Sequence, residues 1–254
     1  MATLLLCLGL WSPPRAGAED IVVAAASDLS FAIREIIEDF EASTPHTVRL
    51  SLGSSGNLFT QIQNGAPFDV YLSADINYPE QLAASGLTEA GSLFGYAFGR
   101  IVVWAWNGSS TDPTSLGMTA IAEDMGKVSI ANPRHAPYGR AAQSALEYYQ
   151  LWESVSGRLV LAENVAQAAQ FAESGAASIA IIALSLASSD PLRRAGRFWE
   201  IPSQAHPQLA QGGVILPHAR STGRLGAALA FTSWMQSESA RIVLERYGFS
   251  LPSD

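Results

Sequence analysis

The amino-acid sequence predicts an α/β protein built on a doubly wound parallel sheet. Segments with the character of buried strands alternate with segments whose apolar residues recur at helical spacing. Hydrophobic residues make up 48% of the chain and charged residues 15%, which is typical of a globular protein with a packed core. With 254 residues, the chain is long enough for one large domain or two small ones.

Strand and helix patterns alternate along the whole chain. The first half predicts strands at residues 20–26, 47–52 and 69–72 and helices at residues 29–41, 57–64 and 78–84. A strand-rich stretch at residues 94–106 follows, because its aromatic and β-branched residues suit pleated packing. The second half predicts strands at residues 128–131, 158–162, 178–183 and 213–216 and helices at residues 120–125, 138–151, 165–173 and 221–247. This order is typical of parallel sheets with helices on both faces.

Charge and the N-terminal segment restrict where the protein acts. A net charge of −8 and an isoelectric point near 5.0 argue against binding to nucleic acid or to an anionic membrane surface. Residues 3–11 are apolar, residues 12–15 form a polar break, and three small residues follow, as at a peptidase cleavage site. We therefore predict a signal peptide over residues 1–18, which contains the single cysteine, Cys7, and a mature chain that begins at Glu19.

A turn rich in glycine and serine marks the candidate binding site. Gly53-Ser54-Ser55-Gly56 lies between a predicted strand and a predicted helix. Glycine lets the backbone approach a ligand closely, and the first amide groups of a helix have no intrahelical acceptor. The helix dipole and two hydroxyl groups add to these amides, so the turn indicates an anion site. Alone, the motif also fits a plain turn in which serine caps the helix.

The same kind of junction recurs along the chain. In open α/β sheets, ligands bind beyond the carboxyl ends of the strands, where strand order reverses. Each helix N-terminus carries about half a positive charge, so four of them offset roughly two negative charges. This balance favours a small dianion over a large organic ligand. The four junctions are Ser27-Asp28, Ser55-Gly56-Asn57, Pro137-Tyr138-Gly139 and Glu163-Asn164-Val165.

Several stretches, spread in order over nearly the whole predicted mature chain, match a known family. The most specific is residues 64–75, Asn-Gly-Ala-Pro-Phe-Asp-Val-Tyr-Leu-Ser-Ala-Asp, and the remaining stretches are residues 24–27, 53–56, 61–63, 131–133, 136–139, 163–165 and 246–249. On these residues the chain resembles the periplasmic molybdate-binding proteins of ABC importers.

The resemblance implies a type II periplasmic binding protein fold with two lobes. Each lobe would be a mostly parallel sheet flanked by helices. We expect residues 19–99 and 211–254 to form lobe one and residues 100–210 to form lobe two, with the ligand in the cleft between them. The resemblance further implies a monomeric periplasmic protein that captures molybdate, and tungstate with it, and delivers the anion to the membrane subunits of an ABC importer. It implies no catalysis, no cofactor, no nucleic acid and no insertion into the membrane.

The resemblance also implies the site residues. In that family neutral hydroxyls and main-chain amides hold the oxyanion, and they contact its oxygen atoms without coordinating the metal atom. Carried over, Ser27 and Ser55 would each donate a hydroxyl and an amide, Val165 an amide, and Tyr138 a phenol. Asp28, the remaining candidate, stands where the resemblance implies a neutral residue. It is either a first-turn carboxylate favoured by the helix dipole and directed away from the ligand, or an acceptor for a protonated oxyanion.

Other residues and other functions receive less support from the sequence. Arg134 and His135 lie next to the third junction, but the resemblance assigns them no role. The turn at residues 53–56 lacks the Gly-x-Ser-x-Gly spacing of a nucleophile elbow, and none of the four histidines has a partner at metal-ligand spacing. Two alternatives stay open: a binding protein for another small oxyanion, such as sulfate or phosphate, and a periplasmic hydrolase.

Overall fold

The structure, a computed structural model, describes residues 17–252. Residues 1–16 of the predicted signal peptide, with Cys7, lie outside the described residues. Between residues 17 and 252, no helix has the length and apolar character needed to cross a membrane.

The first of two sheets has five strands in the order β2-β1-β3-β10-β4. These strands are β1 (Asp20–Ala26), β2 (Thr47–Gly53), β3 (Val70–Ser73), β4 (Phe94–Gly99) and β10 (Leu209–Ile215). β1 pairs in parallel with β2 and β3, whereas β10 runs antiparallel to both β3 and β4. Four of the five strands therefore share one direction.

The second sheet repeats this arrangement with the order β7-β6-β8-β5-β9. Its strands are β5 (Ile101–Trp106), β6 (Val128–Ala131), β7 (Leu159–Ala162), β8 (Ile179–Ala183) and β9 (Gly196–Glu200). β6 pairs in parallel with β7 and β8, and β5 is antiparallel to β8 and β9. The predicted fold of two mostly parallel sheets is confirmed, and each sheet carries one antiparallel strand that the sequence did not indicate.

Helices cover both sheets. They are α1 (Ala32–Ser43), α2 (Ser55–Gln63), α3 (Asn77–Ala84), α4 (Pro113–Leu116), α5 (Thr119–Glu123), α6 (Pro137–Tyr148), α7 (Trp152–Val155), α8 (Val165–Glu173), α9 (Leu184–Ala187), α10 (Asp190–Ala195), α11 (Pro217–Ser221), α12 (Leu225–Met235) and α13 (Glu238–Arg246). Single 3₁₀ turns occur at Ser27–Leu29, Ser156–Arg158 and Ser203–Ala205. We call the first sheet with α1–α3 and α11–α13 the first lobe, and the second sheet with α4–α10 the second lobe.

The antiparallel strands mark where the chain passes between the lobes. β4 passes into β5 through Arg100 alone, and β9 passes into β10 through residues 201–208. The guanidinium of Arg100 binds the carboxylate of Glu200 through two hydrogen bonds, of 2.6 and 2.5 Å. This bidentate ion pair joins the two connections, so the lobes meet at a short double hinge.

Two details differ from the sequence predictions. β10 begins at Leu209, which pairs with Gly99, so two residues assigned from the sequence to lobe two belong to the first sheet. β9 was not predicted, because it is a half-buried edge strand of five residues without a clear alternation of apolar and polar side chains. The division into lobes at residues 99, 100, 210 and 211 remains a proposal.

Each lobe has its own apolar core. In the first lobe, α1 buries Ile33, Ile36 and Phe40, and the ring of Phe40 lies edge-on against Phe231 of α12 at 5.3 Å. In the second lobe, the fully buried Trp104 of β5 packs within a cluster formed by β6, β8, α6 and α8. Separate cores allow the lobes to move as units about the hinge, with the cleft between them.

Candidate functional site

A small cavity lies between the two lobes at the carboxyl ends of the strands. Its volume is about 10 Å³, close to the space that roughly one water molecule needs. The first lobe lines it with Ala26, Ser27, Asp28, Gly53, Ser54, Ser55 and Ala74, and the second lobe with Ala136, Pro137, Tyr138 and Val165. All five site residues predicted from the sequence therefore lie at one cavity, and a large solute does not fit there.

Helix starts surround this cavity because parallel strands end at the same edge of a sheet. β1 and β2 are paired in register up to Ala26 and Gly53, so the 3₁₀ turn at Ser27 and the start of α2 at Ser55 lie side by side. In the second lobe, α8 begins at Val165, and its cap Asn164 accepts a hydrogen bond from the amide of Gln167 at 3.0 Å. The amides of Gly56, Asn57, Ala166 and Gln167 already donate to His135, Ser54, Ser27 and Asn164, so among the described first-turn amides those of Ser55 and Val165 remain available to an anion.

The two predicted serines already accept hydrogen bonds from the main chain. Oγ of Ser55 accepts from the amide of Ala74 at 3.0 Å, and Oγ of Ser27 accepts from the amide of Ala166 at 3.4 Å. Since these amides occupy an acceptor position on each oxygen, each hydroxyl proton remains for a further acceptor. The serines are thus suited to donate to a bound oxyanion.

Tyr138 belongs to a buried polar cluster that the sequence did not reveal. Its hydroxyl donates to Oδ2 of Asp28 at 3.0 Å, and Nε2 of Gln211 donates both to the same Oδ2 at 2.7 Å and to the Tyr138 hydroxyl at 3.1 Å. Gly99 faces this cluster, and a Cβ there would stand 2.2 Å from the tyrosine hydroxyl. The phenol proton is therefore engaged by Asp28, whereas the resemblance implied that it serves the anion.

Gln211 is the functional residue that sequence reasoning missed. It lies on β10, 183 positions away from Asp28, and the predicted strand at residues 213–216 excluded it. Its side chain is 1% exposed, and no local pattern distinguishes it from the other polar residues before that strand. Ser185 of α9 was missed for the same reason, and it donates to the main-chain oxygen of Asp28 at 2.7 Å.

Burial controls the ionisation of this cluster. The carboxyl of Asp28 is 2% exposed, and desolvation raises its pKa to about 6, against the opposing effect of the hydrogen bonds from Gln211 and Tyr138. Burial also raises the pKa values of Tyr138 and Tyr96 well above 10, so both phenols are neutral. Oδ1 of Asp28 is buried and has no hydrogen-bond partner among the described residues.

An ionised Asp28 would oppose an anion in the same cavity. Two like charges 4 Å apart repel by about 4 kcal/mol at an effective dielectric constant of about 20. Asp28 is among the residues that line the cavity, and its Oδ2 accepts hydrogen bonds from Gln211 and Tyr138, whereas the role of its carboxyl group toward an anion remains a proposal.

Contacts between the lobes close the cavity on one side. Arg140 of α6 forms a 2.5 Å ion pair with Asp75, and its guanidinium lies 5.7 Å from the ring centre of Tyr78. His135 accepts a hydrogen bond from the amide of Gly56 at 2.9 Å through its main-chain oxygen. A Cβ at position 56 would stand 2.5 Å from that oxygen, so glycine permits this close approach. We call these contacts the interlobe clasp.

The basic residues near the third junction do not line the cavity. Nδ1 of His135 pairs with Oγ of Ser54 at 2.9 Å, so this histidine supports a serine of the turn. Arg134 is exposed. Within residues 17–252, no cluster of three or more His, Cys, Asp or Glu side chains is arranged to hold a metal ion.

A small cavity between two lobes that are joined by two chain crossings is the arrangement of a two-lobed solute-binding protein. A family model described as bacterial extracellular solute-binding protein matches residues 21–250. The chain belongs to this family.

Several relatives within reach of this comparison are named as molybdate-binding proteins. The molybdate-binding protein ModA of Azotobacter vinelandii is 36% identical over 93% of this chain and 92% of its own length. ModA of Rhodobacter capsulatus is 31% identical over 97% of this chain and 93% of its own length. The solved structure of the periplasmic molybdate-binding protein of Azotobacter vinelandii superposes with a TM-score of 0.84, at 31% identity over 92% of this chain and all of that chain. The resemblance inferred from the sequence motifs is confirmed.

Proposed function

We propose that this protein captures molybdate, and tungstate with it, in the cavity between the lobes and delivers the anion to the membrane subunits of an ABC importer. It acts in the periplasm as a carrier and not as an enzyme. The likeness to relatives named molybdate-binding proteins over more than nine tenths of the chain supports this choice of ligand.

The chemical groups that line the cavity are the main structural support for an oxyanion ligand. Among the described residues, its lining contains serines, helix starts, a tyrosine and one acidic residue, Asp28, and no lysine, arginine or histidine. Neutral donors arranged in this way neutralise an oxyanion through partial charges, which suits a protein of net charge −8. The small volume of the closed cavity excludes a large organic solute.

Each predicted residue has a role in the proposal. The hydroxyls of Ser27 and Ser55 donate to oxyanion oxygens, because main-chain amides already occupy an acceptor position on each. The amide of Val165 donates from the first position of α8. Tyr138 and Asp28 form one hydrogen-bonded unit of the site, because the tyrosine hydroxyl donates to the carboxylate of Asp28. These groups bind the oxygen atoms of the anion, and none binds the metal atom.

Asp28 favours a second candidate, a binding protein for phosphate. Phosphate near neutral pH retains a proton, and the partnerless Oδ1 of an ionised Asp28 would accept it. Molybdate carries no such proton. The two ligands therefore require opposite ionisation states of the same carboxyl group.

Calorimetric titration of the mature protein with molybdate, tungstate, sulfate and phosphate distinguishes the candidates. We expect tight binding of molybdate and tungstate and far weaker binding of sulfate and phosphate. Phosphate affinity equal to or above that for molybdate would replace the proposed ligand. Sulfate, which is unprotonated but smaller than molybdate, tests whether cavity size contributes to selection.

A further inference from the structure

We propose that Asp28 holds the bound oxyanion as a neutral carboxylic acid, with the proton on Oδ1, so that capture of each anion takes up one proton. This inference rests on the proposed function and adds a property of this chain's own site. As a neutral acid, Asp28 donates a hydrogen bond to the anion, as the neighbouring serines do. As an ionised carboxylate, it would repel the anion.

The hydrogen bonds at the carboxyl group decide which oxygen bears the proton. Oδ2 accepts two hydrogen bonds, from Nε2 of Gln211 at 2.7 Å and from the hydroxyl of Tyr138 at 3.0 Å. Both lone pairs of Oδ2 are thereby used, as they would be on the carbonyl oxygen of an acid. Oδ1 is buried and has no hydrogen-bond partner among the described residues. A proton on Oδ1 therefore disturbs neither of the two bonds at Oδ2 and makes Asp28, which lines the cavity, a hydrogen-bond donor.

The surroundings favour the neutral acid once an anion is present. Asp28 is 2% exposed, and desolvation alone raises its pKa to about 6. A dianion in the same cavity would raise this pKa further, because a nearby negative charge disfavours the ionised carboxylate. The first anion oxygen to approach Oδ1 would then meet a hydrogen-bond donor.

The groups packed around Asp28 do not supply a competing cation. Tyr138 of α6 and Tyr96 of β4 are neutral phenols, because burial raises their pKa values well above 10. Ser185 of α9 donates to the main-chain oxygen of Asp28, and α8 presents main-chain amides on its side of the turn. Other charged residues near the site are Arg34 and Glu173, in a neighbouring groove beside Ser27, and Arg140 and Asp75, which pair with each other in the interlobe clasp.

His135 is a further titratable group at the cleft, because it bonds Ser54. A pH dependence of binding therefore has more than one possible source. Replacing Asp28 with asparagine separates them, since asparagine keeps a donor and an acceptor of the same shape and cannot titrate in this range.

The test measures molybdate affinity between pH 6 and pH 8.5 by calorimetry, in two buffers with different ionisation enthalpies. For the unmodified protein we expect the dissociation constant to rise about tenfold per pH unit above pH 6, and the buffer-dependent heat to report close to one proton taken up at pH 8. Asp28→Asn should show no uptake, flat affinity, and binding at pH 8 at least as tight as that of the unmodified protein. Asp190→Asn removes the same charge from an exposed ion pair of α10 and should retain the full pH dependence.

Each other outcome overturns a defined part of the argument. Tight binding of molybdate without proton uptake would refute the protonation of Asp28 and leave the proposed function intact. Uptake that persists in Asp28→Asn would assign the proton to another group, such as His135, and would also refute it. Absence of molybdate binding at every pH would refute both proposals, and binding of phosphate under those conditions would make Asp28 an acceptor. The proton count on the unmodified protein decides the question even if the variant fails to fold.

Discussion

At the scale of single residues, the site uses side chains whose hydrogen bonds are already partly made. Ser55 accepts from Ala74, and the carboxylate of Asp28 accepts from Gln211 and Tyr138. Such bonds orient each donor before a ligand arrives, so less conformational entropy is lost on binding. Substitutions at these positions therefore affect both affinity and stability, and the two effects must be measured separately.

Ser55→Ala should weaken molybdate binding by roughly ten- to hundredfold, because a hydrogen bond to a charged group contributes about 1.5–3 kcal/mol. The change also leaves the buried amide of Ala74 without its acceptor, so we expect a loss of stability of about 1–3 kcal/mol. Calorimetry and urea denaturation measure the two effects. Ser85→Ala, on the exposed end of α3, is the control and should change neither affinity nor stability appreciably. Unchanged affinity in Ser55→Ala would exclude its hydroxyl from the site.

The stability of Asp28→Asn, compared with that of the unmodified protein at the same pH, should be higher at pH 8 than at pH 4. The folded-state pKa of Asp28 is about 6 against an ordinary value of 3.8, so the folded protein binds the proton more tightly than the unfolded chain does. The contribution of Asp28 to stability is thus fully present below pH 4 and falls as pH rises to about 6, by about 3 kcal/mol at 1.36 kcal/mol per pKa unit.

Urea denaturation of both proteins at the two pH values, without added anion, measures this difference. Any constant cost of the partnerless amide in the variant cancels between the two pH values. A variant whose stability differs from that of the unmodified protein equally at pH 4 and pH 8 would show that burial does not raise the pKa of Asp28.

At the scale of secondary-structure elements, the starts of short helices form much of the site. α8 has nine residues. Its first residue, Val165, lines the cavity, and Asn164 is its N-terminal cap. The cap has extended backbone angles, φ −150° and ψ 173°, so it lies outside the helix. The amide of Val165 therefore needs no partner within α8 and is free to donate to an anion.

Val165→Pro should lose about tenfold or more in affinity, whereas Val165→Ala should stay near the unmodified value. Proline deletes the amide donor but suits the first helical position, and the extended cap before it tolerates a following proline. Both substitutions trim a buried side chain, so alanine is the matched control for packing. The comparison applies if both variants melt close to the unmodified protein. A folded proline variant that binds as tightly as the alanine variant would remove α8 from the site.

At the scale of the whole molecule, binding requires the lobes to separate and close again. The cavity is lined from both lobes, and the interlobe clasp lies beside it, so we expect a ligand to enter when the clasp is broken. The connections through Arg100 and residues 201–208 are short, which makes a hinge motion the natural route. Stability of the closed form is thus part of the affinity.

Arg140→Ala should accelerate release of the anion with little change in its association rate. The lost ion pair with Asp75 is partly exposed, and the contact with the ring of Tyr78 is also at the surface, so together they contribute up to about 2 kcal/mol. Affinity should fall several-fold and at most about thirtyfold. Stopped-flow fluorescence measures both rates. Arg193→Ala, which removes an exposed ion pair within α10, is the control. An unchanged release rate would show that the clasp does not hold the lobes together.

Local pattern was sufficient to predict the alternation of strands and helices, the four junctions that line the site and the start of α8 at Val165. Helical periodicity, small residues in turns and capping side chains act over a few positions, so each can be recognised in a short segment of sequence. The choice of Ser27, Ser55, Tyr138 and Val165 came from the family resemblance, and the rule that parallel strands end at one edge of a sheet explains why the junctions within each lobe lie together.

Tertiary structure alone decided which groups these side chains contact. Gln211 lies 183 positions from Asp28, and Tyr138 lies 110 positions away, yet both bond one carboxylate oxygen. Such partners are selected by packing between segments that are distant in sequence, within the first lobe for Gln211 and between the lobes for Tyr138, and no periodicity within either segment records the other. The burial that raises the pKa of Asp28 has the same origin, because solvent is excluded only when both lobes and the returning strand β10 are assembled.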